Sequence, residues 1–109
     1  MVLTAVQKGS YVRDGFLLYG PILSAEALEA LRTRIDALAS GEHPNAEKIG
    51  VRLEAAAQSG ELVDVPRRDK VWQLTNTHQS DEVIFNHARN PKILDIVAEL
   101  LGTEDIKLF

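Results

Sequence analysis

The stretch Pro91–Phe109 constrains this chain more than any other. Asn90 and Pro91 read as a helix start, with Asn as the N-cap and Pro preset for the first turn. Ile93, Leu94, Val97, Leu100 and Leu101 recur at helical spacing and make one apolar face. Gly102 suits the left-handed position that closes such a helix. Asp105-Ile106-Lys107-Leu108-Phe109 then predicts a strand, with Ile106 and Leu108 on one face. No turn or second strand follows it within the sequence, so the expectation is a fold whose completing part lies outside these residues.

Upstream, residues 1–10 carry no strong pattern, and Tyr11-Val12-Arg13 reads as a helical turn ending in Asp14-Gly15. Phe16-Leu17-Leu18-Tyr19, bounded by Gly15 and Gly20-Pro21, predicts a buried strand. Ser24 is a good N-cap, and Leu28, Leu31, Ile35 and Leu38 step along one side of a helix over residues 24–39. Residues 40–70 are the irregular part. There Ile49–Leu53 suggests a strand with Val51 and Leu53 on one face, whereas Leu53–Gln58 has helical propensity. Gly60 and Pro66 mark turns, and Pro66 excludes a central strand. Val71-Trp72-Gln73-Leu74 is rich in strand formers, and Ser80-Asp81-Glu82 caps a helix carrying Val83, Ile84, His87 and Ala88. The fold class expected is α+β, and 109 residues are enough for one small domain and too few for two.

Function classes narrow by exclusion. A net charge of −4 with no dense basic cluster argues against nucleic acid. The one basic spot, Arg67-Arg68 with Lys70, is flanked by Asp64 and Asp69 and reads as a solvated loop. The chain has no cysteine, which removes disulfides and thiolate metal sites. No run approaches a membrane span, and no signal-peptide pattern opens the chain, so a soluble, cytoplasmic protein without membrane partners is expected.

His43, His78 and His87 are the only imidazoles. A facial iron site needs two imidazoles and a carboxylate, and on a strand the first pair reads His-x-Asp/Glu because side chains alternate. None of the three fits. His78-Gln79-Ser80-Asp81 comes nearest, with the acid one residue too far and inside a helix-capping sequence. His78 therefore reads as a loop residue, His43 as an exposed one, and His87 as a helix residue that packs or meets water. Ser10, Ser24, Ser40, Ser59 and Ser80 include no Gly-x-Ser-x-Gly elbow, and no Gly-rich phosphate loop precedes a helix. Arg52 with Glu54, and Arg67-Arg68 with Glu61, read equally well as surface ion pairs. No catalytic residue and no metal ligand emerges.

In their order and spacing, several of these pieces resemble the phytanoyl-CoA dioxygenase family of iron(II)- and 2-oxoglutarate-dependent oxygenases. They are Tyr11–Phe16, Leu23-Ser24 opening an Ala/Leu/Glu helix, Val71–Leu74, Phe85, and Asn90–Gly102 running into Asp105–Phe109. The resemblance implies that residues 1–109 are a single N-terminal segment of such a domain, the N-terminal helices and first strands of a double-stranded β-helix (jelly roll), with Fe(II) and 2-oxoglutarate as cofactors of the complete enzyme. It implies hydroxylation of a small organic or acyl substrate. In such proteins the His-x-Asp of the iron site follows the last matched strand, and the distal His and the 2-oxoglutarate-binding basic residue come later. The resemblance therefore carries no cofactor ligand onto this sequence. An eight-stranded roll needs roughly 80–100 residues for the barrel alone, so it is not expected to close within 109.

The chain by itself is expected to be inactive and to self-associate through its apolar C-terminal helix and strand. Trp72 and Gln73 are the residues expected near the substrate in the complete enzyme, an aromatic and an amide beside the polar loop Thr75–His78, although core packing explains Trp72 equally well. Two other readings stay open: a small α+β interaction module without catalytic activity, and a barrel completed by a separate chain through strand addition.

Overall fold

The computed structural model describes residues 2–108. It is an α+β chain: seven helical segments, a 3-10 turn and a two-stranded antiparallel sheet among the described residues. Two compact units divide it, one made of Met1–Leu23 with Ala88–Phe109, the other of Ser24–His87.

In the first unit, α1 (Ala5–Asp14) starts where sequence patterning is silent. Thr4 and Gln7 form a reciprocal capping box, the Thr hydroxyl accepting from Gln7 N and the Gln amide oxygen accepting from Thr4 N. Helix α7 (Pro91–Leu101) forms as expected, with Asn90 Oδ1 accepting from Lys92 N and Gly102 at φ 70° closing it. Its most buried residue is Ile96, one turn from both Ile93 and Leu100 of the apolar stripe. Glu99 fastens the start of the chain to this helix. Its carboxylate accepts from Val2 N and Leu3 N and lies 3.5 Å from Lys8 Nζ, while Leu3 is buried. Those backbone hydrogen bonds, from Val2 first and Leu3 second, hold the Glu99 carboxyl below its ordinary range.

Two expected strands are absent. Phe16–Tyr19 has no regular secondary structure and no strand partner among the described residues, and Phe16, Leu18 and Tyr19 are exposed rather than buried. Asp105–Leu108 is irregular, and Phe109 lies outside the described residues. Both stretches carry strand-forming side chains, yet a strand exists only when another supplies its hydrogen bonds, and neither finds one among the described residues.

The second unit is built on α2 (Ala25–Ser40). Ser24 Oγ accepts from Ala27 N, and Gly41 at φ 78° ends the helix while Glu42 N donates to Ala37 O. The expected apolar stripe is covered only toward its C-terminal end: Leu38 is fully buried, whereas Leu28 and Ile35 stay exposed. A 3-10 turn (Pro44–Lys48) leads into β1 (Gly50–Leu53) and α3 (Ala55–Gln58), so both readings of that ambiguous stretch are realised in succession. Arg67–Lys70, expected as a loop, is the short exposed helix α4, with Pro66 at its N-cap. Strand β2 (Val71–Thr75) pairs antiparallel with β1, and α5 (Thr77–Ser80) and α6 (Glu82–Ala88) follow.

Helix α4 packs beside α2 with the Arg67 guanidinium lying over Gly41, where a Cβ would collide with it. A side chain at residue 41 is thus disfavoured by the left-handed backbone and by this contact. Gly41→Ala should cost about 1–2 kcal/mol from the backbone alone, read as a fall in the urea midpoint with an unchanged slope. No loss of stability would mean that the turn relaxes freely.

Candidate functional site

Strand β2 is irregular where it carries Trp72. Thr75, Leu74 and Gln73 pair in turn with Gly50, Val51 and Arg52, but Leu53 pairs with Val71, so Trp72 is left without a partner. This is a β-bulge, a device that re-aims side chains on the bulged strand. It brings Val71 and Trp72 onto the surface that Leu74 also occupies. Together with Leu31, Ile35 and Leu38 of α2 and Ile84 of α6, they line an open groove of about 470 Å3. Thr77 and His87 supply its polar groups, and no Asp, Glu, Lys or Arg lines it. Trp72 remains 55% exposed there. The size and the apolar walls with a few polar groups are those of small-molecule sites.

Gln73 faces the other way. Strand alternation places it opposite Trp72 and Leu74, on the side of Arg52, its cross-strand neighbour. Its Oε1 is buried without a hydrogen-bond partner. The two residues expected to act as a pair near the substrate are therefore adjacent in sequence but on opposite faces of the strand. Gly50 belongs to the Gln73 face: the Thr75 side chain lies over it and leaves no room for a Cβ.

The histidines do not converge. His43 is half-buried rather than exposed, and its Nδ1 accepts from Asn45 N at the start of the 3-10 turn. His78 sits half-buried on α5 rather than in a loop, at a wide hollow shared with Lys48 and Phe85. His87 lies on α6 in the wall of the Trp72 groove.

Asp81, the acid nearest His78 in sequence, is already committed. Its Oδ2 accepts from Arg34 Nη1 at 2.5 Å and Asn45 Nδ2 at 2.9 Å, and its Oδ1 from Val83 N and Ile84 N at 3.0 and 3.1 Å. The expected helix cap is thus also the junction of α2, the 3-10 turn and α6. Burial opposes ionisation of Asp81, but the hydrogen bonds from Asn45, Arg34 and Ile84 and the Arg34 charge outweigh it and hold the carboxyl below its usual range. Arg34 also contacts Glu82 at 3.3 Å.

These residues do not fit an iron centre or a 2-oxoglutarate clamp. Among the described residues no three His, Asp or Glu side chains are grouped to hold a metal ion. Arg34 is engaged by two carboxylates, and Arg68 stands 3.8 Å from both Asp36 and Asp69. No helix of the described residues is long and apolar enough to cross a membrane.

The signal that sequence reading missed is the bulge. It depends on register against β1 and has no local signature. The α2 wall of the groove was visible as the stripe Leu31, Ile35 and Leu38.

Neither comparison with curated proteins nor comparison with solved structures yields a match. A family model does match: that of phytanoyl-CoA dioxygenase (PhyH), over residues 11–108. The match runs through the α2 cap, the bulged strand and α7, the segments on which the resemblance rests, and by it the chain belongs to the phytanoyl-CoA dioxygenase family.

Proposed function

We propose that this chain is the N-terminal scaffold of an Fe(II)/2-oxoglutarate-dependent dioxygenase acting on a small organic or acyl substrate in the cytoplasm, its helices and two strands belonging to a double-stranded β-helix in the complete enzyme. The observation that carries this reading is the family match across 11–108. Among the described residues no three His, Asp or Glu side chains are grouped to hold Fe(II), and on this reading the 109-residue chain alone turns over no substrate. The test is iron analysis with oxygen uptake and succinate release in the presence of 2-oxoglutarate. No stoichiometric iron and no succinate from this chain is the expected result; turnover would overturn the reading.

Within the complete enzyme, Trp72 borders the substrate through its groove, and Gln73 offers its unpartnered amide oxygen to a donor from the opposite face. Removing an unsatisfied acceptor takes away no hydrogen bond. Gln73→Ala should therefore change stability by no more than about 1 kcal/mol while raising KM. A clear fall in Tm with an unchanged KM would assign Gln73 to structure instead.

A further inference from the structure

We draw no further inference here: the strongest candidate, the polar face of the β1–β2 sheet on which Arg52 and Gln73 are cross-strand neighbours, carries no site of its own, since nothing in the structure shows what covers it.

Discussion

Asp81→Ala lowers the unfolding free energy of the Ser24–His87 unit by about 3–5 kcal/mol, the cost of taking one partner from a buried ion pair. The Asp81 side chain is fully buried and that of Arg34 is 20% exposed, so the guanidinium left behind keeps only the exposed Glu82 carboxylate, at 3.3 Å, which favours the lower end of that range. Alanine also leaves Asn45 Nδ2 without its acceptor and Val83 N and Ile84 N without their cap. Asp81→Asn should cost less, since an amide oxygen can still cap α6 while the charge facing Arg34 is lost. Urea denaturation followed by circular dichroism reads both. An Asp81→Ala loss below that of Asp81→Asn would mean that Arg34 is solvated in the folded chain.

The same carboxylate sets a pH dependence. A folded-state pKa below the unfolded one means that the unfolded chain binds the extra proton as acid is added. The Asp81 contribution is therefore complete above the ordinary carboxylate value of about 4 and fades as pH falls through the lower folded value. Glu99, lowered by its hydrogen bonds from Val2 and Leu3, acts in the same direction in the other unit. Wild-type stability should be flat near neutrality and fall in acid, and Asp81→Asn should flatten part of that fall. A variant with an unchanged acid limb would assign the dependence to other carboxylates.

Local signals in the sequence were enough wherever one segment satisfies its own backbone. Ser24 with Gly41, and Asn90-Pro91 with Gly102, bracket α2 and α7 as the caps require. Asp81 was legible as a cap, but Arg34 and Asn45, which converge on it from far along the chain, were not. Strands failed for the same reason. Phe16–Tyr19 and Asp105–Leu108 have side chains suited to a pleated surface and no described strand to pair with, whereas β2 has β1. Trp72 and Gln73 were singled out by residue type. Their placement on opposite faces needed only the alternation rule, but the bulge that turns Val71 to the Trp72 side needed the pairing itself. The groove followed from neither pattern alone, since it requires α2, β2 and α6 together.

Leu38→Ala tests whether that groove rests on a packed floor. Leu38 is 0% exposed, on the α2 wall of the groove that Trp72 also lines, and is the largest fully buried side chain of the described residues. Truncation removes its transfer free energy and leaves a void, an expected cost of about 2–5 kcal/mol. The void adjoins an open groove, so water or the neighbouring Ile84 can enter it, which favours the lower half of that range. Trp72 is the only tryptophan, and its emission reports the groove without interference. If Leu38 supports the wall, the variant's folded-state emission shifts to longer wavelength as water reaches the indole more freely, and the urea midpoint falls. Ile35→Ala, at a residue 40% exposed, provides the contrast, with less apolar area to lose and a smaller fall. Equal losses at 35 and 38 would show that the groove is covered in solution. A fall for Leu38→Ala without any change in Trp72 emission would separate the core from the groove and remove Trp72 as a reporter of a ligand surface.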